Sequence, residues 1–434
     1  MTNLAYDIAA DREEPAPRPP EARPIPRITI QAFCDTPEVA GTMETAALDR
    51  RMARAHVKVH TGGISAAAEF YRTAPTPNLV IVESRLPAEE LVGTLESLAE
   101  VCDAGTKVMV VGHSNDVQLY RELLKRGVSE YLVAPIDVMS IIAAISGIYH
   151  EASAEKLGQV YAFIGAKGGV GSSTVAHNVA WTMARLIGSD VILADMDLAF
   201  GTAGLDFNLD PPQGISEAVF GADRLDEVLL DRLLAKCEDH LSLLAAPAAL
   251  DKAYDFSEDA FDQVLEIVQA NVPTVVLDIP HMWTAWVRKT LIAADEVVVT
   301  AIPDLANLRN AKAIVDLLKQ ARPNDTPPKL ILNQVGVPKR PEIKPDDFAA
   351  ALQITPIASI PFDPLLFGTA ANNGQMIAEA SAKTAVSDAF TDIAQVVTGR
   401  KELKKARGRG LDFGPLFQRF KAKPKPKPKA KKAS

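Results

Sequence analysis

Ten consecutive residues, Gly165-Ala166-Lys167-Gly168-Gly169-Val170-Gly171-Ser172-Ser173-Thr174, combine four glycines, one lysine and three hydroxyls. Glycines let successive backbone N–H groups turn toward one centre, and a helix that starts at the end of the run adds its positive dipole end. Phosphate oxygens can be held there without side chains. The flanks fit: an apolar strand pattern at 160–164 precedes the run and a helical pattern at 175–186 follows it. Strand, glycine loop and helix in that order point to a bound nucleotide.

Carboxylates stand where such a site needs them. One strand pattern, 191–194, ends in Asp195-Met196-Asp197, and another, 274–277, ends in Asp278-Ile279-Pro280-His281. A carboxylate at a strand end beside a triphosphate can hold the water shell of a magnesium ion. Acidic residues also end strands as helix caps, so the position after a glycine loop is what gives these their meaning. His281, beside Trp283 and Trp286, reads as a packing or capping histidine. Further strand patterns run over 296–300 and 329–332, the second ending at Asn333.

The elements that must position these groups fall into two α/β units. Residues 1–26, with the run Glu14-Pro15-Ala16-Pro17-Arg18-Pro19-Pro20, lack apolar periodicity and are expected to be disordered. Residues 27–150 alternate strands at 28–33, 79–82, 107–111 and 130–133 with amphipathic stretches, which implies a parallel sheet. A second unit is expected over 151–398, and residues 399–434 form a basic tail. From Arg400 to Ser434, 14 Lys/Arg face Glu402 and Asp412, a net of +12, so with a total of −9 the rest of the chain carries −21.

Cys34, Cys102 and Cys237 are too few and too scattered for a disulfide framework or a metal cluster. Asp7, Asp11 and Glu13 stand where a secretion signal needs a basic start and an apolar core, and no apolar run is long enough to span a bilayer, so a cytoplasmic protein is expected. An acidic body argues against nucleic acid as partner.

The first unit resembles a response-regulator receiver (flavodoxin-like) domain that lacks its chemistry. Cys34-Asp35 stands for the acidic pair, Glu83 for the phosphoacceptor, Gly112-His113 follows the fourth strand, and Ala134 precedes Pro135 where the family has lysine. Docking or localisation is the expected use of such a surface.

Residues 159–398 resemble the P-loop ATPases of the ParA/MinD superfamily, through Lys167, the glycines, Asp197 and Asp278. The resemblance implies ATP and Mg²⁺ as cofactors and an ATP-dependent homodimer, with Lys167 reaching the partner's nucleotide. It implies that Gly168, Gly169, Val170, Gly171, Ser172, Ser173 and Thr174 cradle the phosphates. Ser173, Asp195 and Asp278 would stand on the metal side and Asp197 would orient the attacking water. Asn333 would face adenine, and Ile360-Pro361-Phe362-Asp363-Pro364 with residues 368–375 would be the loop closing over the base, Pro361 and Asp363 included. Ser172 replaces the second lysine of the family loop, which implies weak or slow hydrolysis, because charge-assisted contacts are about twice as strong as neutral ones.

The receiver-like unit, the Ser172 departure and Leu277-Asp278-Ile279-Pro280-His281-Met282-Trp283-Thr284-Ala285-Trp286 together resemble the CpaE/TadZ family of Flp (Tad) pilus assembly. That resemblance implies a polar factor, peripheral to the inner membrane, that recruits the pilus secretion ATPase and inner-membrane platform proteins. The tail, with Phe413, Phe417 and Phe420 among its basic residues, could touch an anionic membrane or simply stay solvated. The alternative function is a DNA- or septum-positioning ATPase of the same superfamily.

Overall fold

The structure, a computed structural model, describes residues 23–150, 157–248, 250 and 254–401. Most of the proline-rich start and nearly all of the basic tail lie outside the described residues.

Valine- and isoleucine-rich runs build two parallel sheets. The first contains β1 (Thr29–Cys34), β2 (His56–Thr61), β3 (Leu79–Ser84), β4 (Lys107–Gly112) and β5 (Glu130–Val133), in the order β2-β1-β3-β4-β5. This is the doubly wound order of flavodoxin-like folds. The second contains β6 (Gln159–Gly165), β7 (Val191–Asp195), β8 (Ala235–Glu238), β9 (Leu241–Leu244), β10 (Thr274–Ile279), β11 (Glu296–Ala301), β12 (Lys329–Val335) and β13 (Ala358–Pro361). Its order is β13-β12-β11-β6-β10-β7-β9-β8, all parallel except the β8/β9 pair.

Alternation along the strands sends side chains into separate cores. On β6, Val160, Ala162 and Ile164 join one core while Tyr161 and Phe163 join the other; β10 divides Val275, Leu277 and Ile279 from Val276 in the same way. Helices cover both faces, which is why these strands read as continuous apolar runs. Strand β6 lies at the centre, with β11 on one side and β10 on the other, so its carboxyl end is a crevice where connections depart in both directions. Ligands of open α/β sheets bind at such a switch point.

At the opposite, amino-terminal ends of β11 and β12 the two sheets' units meet through a buried ion cluster. Asp325 Oδ2 accepts from Arg50 Nε and from Arg322 Nε, each at 2.7 Å, and Oδ1 pairs with Arg51. Arg50 also donates to the Ala293 carbonyl at 2.8 Å, and Asn324 donates to Asp49 at 3.0 Å.

Two expectations change. Residues 368–375, read as a loop, belong mostly to a helix, Pro364–Asn373, started by Asp363 accepting from Leu366 N at 3.0 Å and ended by Gly374 at φ +61°. Proline at the first helical position is compatible with that start. The strand expected to end before Asn333 runs on to Val335, so Asn333 sits within β12.

Candidate functional site

The helix after the glycine loop spans Ser172–Ile187, so Ser172, Ser173 and Thr174 make its first turn. Gly169 and Gly171 adopt φ +79° and +83°, conformations open to glycine and strained for other residues. The loop is braced from outside through its carbonyls. His281 Nδ1 lies 3.0 Å from the Gly165 oxygen, Asn310 donates to Ala166 at 2.9 Å, Gln334 to Gly169 at 3.2 Å, and Asn333 to Val170 at 2.8 Å. The N–H groups of Gly169, Gly171, Ser172, Ser173 and Thr174 meet no acceptor among the described residues. A loop whose carbonyls are satisfied and whose amides are free is a concavity for an anion.

Asn333 therefore acts here on the loop: its Nδ2 holds Val170 and its Oδ1 accepts from Gln334 N at 2.9 Å, with the residue buried. A base-facing amide would have to give up these bonds. Pro361 ends the edge strand β13, exposed, and Asp363 caps the following helix. A methyl group on Gly171 would lie 2.5 Å from Asn333 Nδ2. Gly171→Ala is accordingly expected to break the Asn333 brace and strain the loop by about 1–2 kcal/mol. Nucleotide affinity should fall about tenfold, read by titration with a fluorescent nucleotide, while an unchanged affinity would mean the brace is unimportant.

Below the loop lies a buried charged cluster. Asp195 is fully buried, its oxygens accepting from Asp197 N at 3.2 Å and Ala203 N at 3.0 Å. Burial, with the nearby Asp278 charge, pushes its carboxyl up to about 7, against the opposing pull of His177 and those two amides. His177 is fully buried on the helix that follows the loop: Nδ1 lies 2.7 Å from Asp206 Oδ2 and Nε2 lies 3.1 Å from Asp278 Oδ2. Burial opposes its charge, but the hydrogen bonds to the two carboxylates prevail and raise it to about 10. His177, Asp195 and Asp278 present donor atoms within 4.8 Å of one another.

Sequence reasoning missed His177 and Asp206. The available signal was a histidine in an otherwise apolar helical stretch, Val175-Ala176-His177-Asn178-Val179-Ala180.

Two orphan atoms suit a nucleotide with a divalent ion. Ser172 Oγ and Asp278 Oδ1 are buried without a hydrogen-bond partner among the described residues, and buried polar atoms are normally paired. Asp197 is half-buried and accepts from Phe200 N at 3.0 Å, while Lys167 is exposed at the loop's outer edge.

The crevice of the first sheet is built differently. Glu83, fully buried, accepts from Asp35 N at 2.7 Å, Thr36 N at 2.8 Å and Thr36 Oγ1 at 2.8 Å, and lies 2.9 Å from His113 Nε2. Burial would raise its carboxyl, but these hydrogen bonds hold it below its ordinary range. Both oxygens are used to tie the β1, β3 and β4 ends together.

Comparison with known proteins follows this division. The crystal structure of a pilus assembly protein CpaE from Caulobacter crescentus CB15 is 54% identical, covering 29% of this chain and 97% of that chain, with a TM-score of 0.29. The matched stretch is the amino-terminal part, and the identity over nearly the whole of that chain decides the family. The chain belongs to the CpaE family. In this CpaE-family chain, residues 158–330 match a family model described as an AAA domain. A ParA family ATPase from Chlorobium tepidum TLS shares that fold at 24% identity, covering 54% of this chain and 98% of that chain, TM-score 0.50. The septum site-determining protein MinD of Synechocystis sp. is 26% identical over 242 residues, 54% of this chain and 87% of that protein.

Proposed function

We propose that the chain is an ATP-binding scaffold that dimerises on ATP and helps to assemble a Flp (Tad) pilus secretion machine at the cell pole. The free amides of the loop, with its carbonyls tied back, carry this reading. The CpaE relative, titled a pilus assembly protein, supports the process. When bound, ATP with Mg²⁺ supplies the charge that organises the site. Gly168, Gly169, Val170, Gly171 and Thr174 would cradle phosphate through backbone and hydroxyl groups, and Ser173, Asp195 and Asp278 would hold the metal. Asp197 positions water for hydrolysis, and Lys167 neutralises phosphate charge on the partner's nucleotide.

Dimerisation also has a surface to use. Phe200, Met282, Trp283, Leu305, Phe362 and Leu365 are exposed, and each stands on a connection leaving the carboxyl end of a strand, the edge that holds the loop. ATP bound preferentially by the dimer would stabilise it by mass action. Sedimentation velocity of the full chain tests this: ATP with Mg²⁺ should convert monomer to dimer, and a nucleotide-independent species would refute it.

Turnover is slow in this account because a hydroxyl replaces an ammonium beside the terminal phosphates. Restoring it, Ser172→Lys, is expected to tighten ATP binding about tenfold, the value of roughly one charged hydrogen bond. Equal affinities by fluorescent-nucleotide titration would show that position 172 does not face phosphate.

The docking partners in this reading are the secretion ATPase and the inner-membrane platform, engaged by the receiver-like unit. No helix among the described residues is long and apolar enough to cross a membrane. The MinD relatives favour septum positioning as the second reading.

A further inference from the structure

His177 has no part in phosphate or water chemistry as described above, yet both of its ring nitrogens are bonded within the site. One rigid ring joins two elements, with each nitrogen on a different carboxylate. Asp278 is the penultimate residue of β10, while Asp206 ends the short helix Ala203–Asp206 at the far side of the segment after β7. The ring is fully buried and packs beside Phe207, 6.1 Å between centroids.

We infer that His177 is a positioning residue that couples occupancy at the metal-side carboxylate Asp278 to the segment 197–206. The inference rests on the proposed nucleotide site and assigns it an output.

The geometry leaves little slack. The His177–Asp278 bond is buried on both sides, so a shift of Asp278 must either carry the ring along or break a charge-assisted bond. Asp278 also has a reason to shift, because Oδ1 is buried and unpaired and turns toward whatever cation arrives, while Oδ2 holds the ring. Asp206 then moves with the ring. The segment is tied to the same carboxylate cluster at Asp195, which accepts from Asp197 N and Ala203 N, so its ends are held by the groups that would face the cation. That turn displays Phe200 and Leu205, 73% and 72% exposed, and they are the surface whose placement the site would control. Outer partners of a metal ligand commonly change site properties 10- to 100-fold, on the order expected here.

Hydrogen exchange on the full chain, with and without ATP and Mg²⁺, reads the coupling directly. In the natural chain ATP is expected to slow exchange over 197–206 by about tenfold, as an ordered segment opens less often. In Asp206→Ala, where water can reach the vacated position because the side chain is 21% exposed, ATP should still bind and protect 167–174. The slowing at 197–206 should be lost. His177→Gln is the second variant, with the same expected loss. A wild-type degree of slowing in either variant overturns the inference, as does ATP binding to the natural chain with no change at 197–206. Absence of any ATP binding to the natural chain removes the underlying site reading instead, and the inference with it.

Discussion

Lys167→Ala is expected to abolish ATP-driven dimerisation while leaving the folded monomer intact. Lys167 is exposed in the single chain, so its removal should change folding stability by no more than about 0.5 kcal/mol. In the proposed dimer the same ammonium would be buried against the partner's triphosphate, and removing one member of such a pair costs about 2–5 kcal/mol. The dimer dissociation constant should then rise by roughly a hundredfold, since each 1.4 kcal/mol is about a factor of ten. Mass photometry at fixed ATP over a range of protein concentration measures this. Undiminished dimer formation by the variant would show that the lysine does not act across the interface.

Asp325→Ala is expected to have the largest effect on stability. Its carboxylate faces Arg50, Arg51 and Arg322, whose side chains are 6–9% exposed. Deletion leaves the buried Arg322 without its carboxylate partner, Arg50 with Asp295 and Arg51 with Asp49, a change that costs about 3–5 kcal/mol. The pH dependence follows from the same cluster. Burial would raise the Asp325 carboxyl, but the charges and hydrogen bonds of Arg50 and Arg322 lower it to about 2. A carboxyl held below its unfolded value stabilises the fold above that value, and the contribution is lost as pH falls from about 4 toward 2. Thermal melts between these limits should show a steeper loss in the natural chain than in Asp325→Ala. Equal slopes would mean that the cluster is open in solution.

Most of the strand framework was legible because both sheets are covered on both faces, so buried strands such as Val191–Asp195 and Thr274–Ile279 show as unbroken apolar runs. Strand His56–Thr61 was not, because it lies at a sheet edge and alternates valine with histidine and lysine. Helix Pro364–Asn373 was masked by Pro364, Gly368 and paired asparagines, which in isolation signal a turn. Its start depends on Asp363 as cap, a three-dimensional fact.

The glycine loop and its two acidic strand ends could be read directly, since backbone conformation and strand position follow from residue type and spacing. Orientation could not. Asn333 is where expected in the chain, yet its amide braces Val170. His177 and Asp206 are 29 residues apart, and only the return of the chain after β7 brings them together.

A triphosphate lying in the loop at Gly165–Thr174 is the central requirement of the proposed function. Isothermal calorimetry of the purified full chain with ATP and Mg²⁺ tests it most directly. One site per chain with a dissociation constant in the micromolar range, about −8 kcal/mol, is the predicted result. No heat with ATP at any accessible concentration would contradict it.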